Sequence, residues 1–97
     1  MHTLPNEVVT KEAISTLRFP SHDVLSTVIE RQQRRWQAER ATTLGNGYQS
    51  KVDIYFQTVD GLTKRIHTTV WASDAEYLSL KSGKALPLRA VLGFDFY

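Results

Sequence analysis

The sequence predicts an α+β domain of mainly β character, in which an N-terminal amphipathic helix precedes five short antiparallel strands curled into a small barrel. Three observations carry that expectation. Apolar residues recur at the helical period over residues 21–43, the repeat switches to two after Gly47, and turn signals at Asp60-Gly61, at residues 73–76 and at Ser82-Gly83 cut the rest into hairpin-length pieces. Ninety-seven residues, 41% of them hydrophobic, suffice for one core and leave no room for a cleft between two lobes. Short strands this apolar curl because an open sheet would expose sticky edges.

The first twenty residues are expected to be an extension carrying a short helix, with Val9, Ala13 and Leu17 at helical spacing behind an Asn6 cap; residues 21–97 then form a single helix-plus-barrel domain. Glu7, Lys11, Glu12 and Arg18 interrupt that first stretch, which leaves neither a signal-peptide core nor a membrane span. With no cysteine to oxidise, the expected location is the cytoplasm.

The main helix is expected to follow Pro20, with Ser21 as N-cap, Asp23 in the first turn and Gly45 as its stop. At about 100° per residue, Leu25, Val28, Ile29, Gln32, Trp36 and Thr43 share one stripe. That stripe should lie on the barrel, where covering Leu25, Val28, Ile29 and Trp36 would contribute roughly 1.5 to 3 kcal/mol each.

Among the strands, Val52, Ile54 and Phe56 should point inward against Asp53, Tyr55 and Gln57, and Leu62, Ile66 and Val70 should resume the inner face beyond the tight Asp60-Gly61 turn. Leu78 and Leu80 alternate in the next strand. Pro87, which lacks an N–H, belongs at an edge, and "RAVLGFDFY" reads as one turn followed by a last strand carrying Phe94 and Phe96. Trp71 falls opposite Ile66 and Val70 in the alternation. A flat sheet would expose it for stacking or anchoring, whereas a bent strand would tuck it under the helix beside Trp36, and this covering role is the expected one.

The layout resembles the SH3-like small barrels of Sm-like and Rof-type proteins, and the run "ASDAEYLSLKSGKALPLRAVLGF" resembles one found in small uncharacterised bacterial proteins; together the likeness covers residues 21–97. That resemblance implies a strongly bent meander closed by a strand after a helical turn, and a macromolecular partner. Uridine recognition is not implied: Asp74 stands in "SDAEY" without the expected Asn, and Arg89 in "PLRAV" without the expected Gly. Contact with the termination factor Rho, made through acidic surface in the Rof type, is not implied either, because the helix turns basic after Glu30.

Formal charge divides into −2 over residues 1–30 and +4 over residues 31–97. Arg31, Arg34 and Arg35, joined by Lys64 and Arg65, are the candidate binding residues, since guanidinium forks at helical spacing can grip phosphates. The competing expectation is a solvated face on which Glu30 and Glu39 pair with Arg34 and Arg35. No metal-ligand spacing, nucleophile beside a base, or glycine-rich phosphate loop is legible. The sequence therefore predicts a non-enzymatic module with no catalytic residue, cofactor, metal or small-molecule substrate. It would bind a protein partner or pair with itself as a homodimer, for which the aromatic "GFDFY" end offers an edge; nucleic acid is the alternative partner, and a membrane is not expected.

Overall fold

Strict alternation in β2 (Val52–Gln57) sends Val52, Ile54 and Phe56 into the core, each at most 1% exposed, as the period of two requires. The computed structural model, which describes residues 8–81 and 83–97, builds the rest of one sheet around this strand. β3 (Thr63–Thr68) pairs antiparallel with it across the Asp60-Gly61 turn, where Gly61 takes a φ of 85°. The Asp60 carboxylate closes that turn by accepting from the Thr58 hydroxyl and the Leu62 N–H. β7 (Val91–Asp95) flanks β2 on its other side, and β1 (Val8–Val9) runs parallel along β3, giving the order β1-β3-β2-β7.

A second sheet has the order β4-β5-β6, from β4 (Val70–Ser73), β5 (Tyr77–Leu80) and β6 (Ala85–Pro87). Only Thr69 separates β3 from β4. Thr68, Thr69 and Val70 are buried in succession, so the alternation breaks where the chain bends from one sheet into the other. The core lies between the sheets and centres on Ile54, Phe56, Ile66, Leu78, Leu80, Leu86 and Val91. Pro87 sits on the edge strand β6, and the short 3-10 helix η2 (Leu88–Ala90) leads into β7, both as expected.

Five strands in a barrel were expected; the described residues form seven strands in two sheets, and their ladders do not close into a ring. The bend at Thr69 divides one expected strand in two. η2 interrupts the backbone between β6 and β7, which do not pair. The seventh strand comes from the stretch expected to be helix: Val8 and Val9 are extended, and only the 3-10 helix η1 (Lys11–Thr16) follows. Ile14 is buried in the core and the Phe19 ring lies 5.9 Å from that of Phe56, so residues 8–20 pack with the rest of the chain. Asn6, the expected cap, and Ser82 of the third reversal lie outside the described residues. Leu62, expected inside, stands exposed at the end of the turn.

The long helix departs from expectation at both ends and in its orientation. α1 (Val28–Tyr48) has Thr27, not Ser21, as N-cap: Thr27 Oγ1 accepts the Glu30 N–H at 3.1 Å and the Glu30 carboxylate accepts the Thr27 N–H at 3.3 Å. Residues 21–26 form a non-helical arm instead. Within it Asp23 accepts the Leu25 N–H at 2.8 Å, and the Val24 N–H donates to the Arg89 carbonyl at 2.9 Å. Gly45 does not end the helix, which continues to Tyr48 and a left-handed Gln49 with φ of 53°.

α1 packs against β4 and β7, one strand from each sheet, and buries Arg34, Ala38, Ala41 and Gly45. These are spaced i, i+4, i+7 and i+11, a seam of small residues headed by one arginine. A Cβ at Gly45 would stand 2.0 Å from the Val70 carbonyl oxygen, so at this end the helix backbone touches the strand. No indole fits such an approach. The expected stripe accordingly faces outward, with Val28 65%, Ile29 68% and Trp36 61% exposed. Trp71 is not a cover for the core either: it sits at a bulge between Val70 and Ala72 of β4 and is 48% exposed.

Candidate functional site

The five candidate binding residues do not share one exposed face. Arg34 lies in the seam, 5% exposed, and holds the Asp23 carboxylate with both terminal amino groups, at 2.8 and 2.6 Å, while also donating to the Val91 carbonyl at 3.0 Å. Arg31 donates to the Leu25 carbonyl at 2.9 Å and stands 3.6 Å from the same Asp23 carboxylate. Arg35 pairs with Glu39 at 3.5 Å, one of the two pairings anticipated for a solvated face. Lys64 is buried on the inner side of β3, whereas Arg65, its neighbour, turns to the outer side and lies 3.9 Å from Asp53. Two of the arginines thus fasten the arm at Asp23 to the helix. Burial acts to raise the Asp23 pKa, but the Arg34 and Leu25 hydrogen bonds and the charges of Arg34 and Arg31 outweigh it and hold the carboxyl below its ordinary value.

The outer face of α1 exposes three large apolar side chains, Val28, Ile29 and Trp36, among polar and charged ones. The Arg40 guanidinium lies 4.6 Å over the Phe96 ring and 6.0 Å from the Trp36 ring, which ties the apolar stripe to the end of the chain beyond β7. Phe96 in turn stacks on Phe94 at 6.0 Å, so this corner of the surface is continuous with the core. An exposed tryptophan beside an arginine has the composition of a protein-binding anchor.

On the outer side of the first sheet a second group of side chains converges. Asp53, a strand residue on the polar side of the alternation, is only 6% exposed because its neighbours cover it. Its carboxylate accepts from His67 Nδ1 at 2.7 Å and from the Tyr97 hydroxyl at 2.5 Å, and the Tyr55 hydroxyl donates to Asp95 beside it at 2.7 Å. The pairing of Asp53 with His67 follows from the ladder register about the Asp60-Gly61 turn, a signal present in the sequence that a search for metal or catalytic spacings passes over. For Asp53 burial is again the largest influence and an opposing one; the Tyr97 and His67 hydrogen bonds, with the His67 and Arg65 charges, bring its pKa below the ordinary value. Among the described residues, no group of three or more histidines or carboxylates could hold a metal ion.

Tyr97 pays for this arrangement in its own titration: donating to the Asp53 carboxylate pushes its phenol up to about 12. Its folded pKa lies above the ordinary value of 10.0, so its contribution to stability is complete below pH 10.0 and is lost as the pH rises through about 12. Following phenolate absorbance through an alkaline titration should reveal late-titrating tyrosines, Tyr97 and also Tyr55, which its hydrogen bond to Asp95 raises as well, and Asp53→Asn should return Tyr97 towards the ordinary range. A wild-type titration in which all tyrosines ionise together would contradict the contact.

Compared with known proteins, the chain matches no family model, no curated protein and no solved structure.

Proposed function

We propose that this chain is a non-enzymatic interaction module that docks a protein surface, whether a separate partner or its own copy, on the outer face of α1. The observation carrying this reading is the inversion of the helix. Its small residues pack inward, while Val28, Ile29 and Trp36 meet solvent on the opposite side of the helix. Leaving three large apolar side chains more than 60% exposed forfeits several kcal/mol of burial, roughly 1.5 to 3 each, which association would recover. The architecture supports a scaffold of the SH3-like kind, in which β2, the bent β3–β4 pair, β5, β6 and β7 follow one another as a meander with a helical turn before the last strand. The non-enzymatic part rests on the residue patterns alone. Nucleic acid receives less support as partner, because Arg31 and Arg34 are engaged with Asp23 and Arg35 with Glu39.

The double substitution Ile29→Ala and Trp36→Ala tests this. Both side chains are exposed, so the urea midpoint should move by no more than about 0.5 kcal/mol in equivalent stability. Protein association should be lost, read as sedimentation across a concentration series for self-pairing and as retention on immobilised chain for a separate partner. Association that survives the double substitution would contradict the proposal, and so would binding to single-stranded RNA that falls steeply with salt and vanishes with Arg31→Glu.

A further inference from the structure

A cavity of about 380 Å³ opens between the arm, α1, the β4–β5 loop and η2, lined by Asp23, Arg34, Ala75, Glu76, Tyr77 and Arg89. That volume suits a small ligand. Asp23 and Arg34 are spent on each other and form a neutralised back wall. The other polar groups are not spent. Arg89 Nε donates to the Pro20 carbonyl at 2.6 Å, which anchors the guanidinium while its two terminal amino groups make no hydrogen bond to any described residue. The Glu76 carboxylate and the Tyr77 hydroxyl are likewise uncommitted among the described residues.

These groups are held in place by their backbones. Asp74 accepts the N–H of Glu76 at 2.7 Å and of Tyr77 at 2.8 Å, and the Leu88 N–H donates to the Glu76 carbonyl at 2.8 Å, which ties the β4–β5 loop to η2 beside Arg89. The cavity therefore presents one fixed guanidinium fork, one carboxylate and one aromatic wall. The complement of that set is a small molecule with one anion, one cation and an apolar group. A guanidinium fork matches a carboxylate in two parallel hydrogen bonds, and a carboxylate takes an ammonium as a charge-assisted donor.

We infer that this cavity binds a free α-amino acid with an apolar side chain, its carboxylate on Arg89, its ammonium on Glu76 and its side chain against Tyr77 and Ala75. The residues come from separated segments, 75–77 and 89, with the arm and helix behind them, which is why the sequence predicts no small-molecule ligand. The reading is independent of docking on α1, since the two sites share no residue.

The test uses the full chain and three probes: L-phenylalanine, phenylalaninamide, which lacks the carboxylate, and N-acetylphenylalanine, which lacks the ammonium. Backbone amide NMR shifts on residues 74–77 and 88–90 should saturate with L-phenylalanine, and each half-charged form should bind roughly tenfold more weakly or worse. Glu76→Gln alters an exposed side chain with no partner to lose, so the fold is kept, and it should reduce L-phenylalanine to the level of the N-acetyl form. Absence of saturable shifts up to the solubility of L-phenylalanine, shifts confined to other residues, or equal binding of all three probes would overturn the inference.

Discussion

Gly45→Ala is expected to destabilise this protein by about 3 kcal/mol or more, even though it replaces a poor helix former with the best one. The new methyl would be centred 2.0 Å from the Val70 carbonyl oxygen and 3.0 Å from Thr69 Cγ2. The nearest atom is backbone, so nothing can swing aside; either α1 lifts from β4 or the strand distorts at the bend that joins the two sheets. Gly47, two residues on in the same helix, supplies the control. A Cβ there meets nothing within 4 Å, and Gly47→Ala should stabilise by up to about 1 kcal/mol through helix propensity alone. Urea unfolding of the two variants should give midpoints on opposite sides of the wild type. Equal effects would mean that α1 does not approach β4 as described.

Arg34→Met should have the second large effect, about 3 kcal/mol. Removing one partner of a buried pair costs about 3 to 5 kcal/mol, and the lower end applies because the Asp23 side chain keeps 20% of its surface in solvent. The substitution preserves volume in the seam but leaves the Asp23 carboxylate with only the Leu25 N–H and Arg31 at 3.6 Å, and frees the Val91 carbonyl. Combining it with Asp23→Asn should cost less than the sum of the single changes, since the uncompensated charge is then gone. The pair also sets an acid limit. Asp23 has its folded pKa below the ordinary 3.8, so the stability it contributes is present above that value and is lost as the pH falls through the folded pKa; Asp53 acts in the same sense. Unfolding monitored on acidification should therefore begin below about pH 4 and lose part of its steepness in Asp23→Asn.

The strands after residue 50 were legible in part, because their rules are local; β1 and the break at Thr69 were not. Alternation placed Val52, Ile54 and Phe56, the positive φ of Gly61 fixed a turn, and the missing N–H of Pro87 marked an edge. The helix was legible as a helix but not in its orientation. A search for large apolar side chains finds Val28, Ile29 and Trp36, whereas the packed seam is Arg34, Ala38, Ala41 and Gly45, whose role is to be small. Its sign was available as Ala, Ala and Gly at i+4, i+7 and i+11 from a single arginine, a spacing that permits close backbone approach. The true start was available too, in the Thr27 to Glu30 capping box, but Pro20 and Ser21 give an equally good local signal. That competition is settled only by the Asp23 and Arg89 contacts of the arm, which are tertiary. The Asp53–His67 pair could be counted out from the Asp60-Gly61 turn, but Tyr97 beside it and the cluster around Arg89 required tertiary positions that no motif announces.

The orientation of α1 is tested most directly by Trp36 itself. In a Trp71→Phe variant, studied at a dilution where the chain is monomeric, Trp36 is the sole indole. The inverted helix predicts solvent-like emission and acrylamide quenching close to that of the urea-unfolded chain. Blue-shifted emission shielded from acrylamide in the folded monomer would place the indole against the sheets and contradict the account.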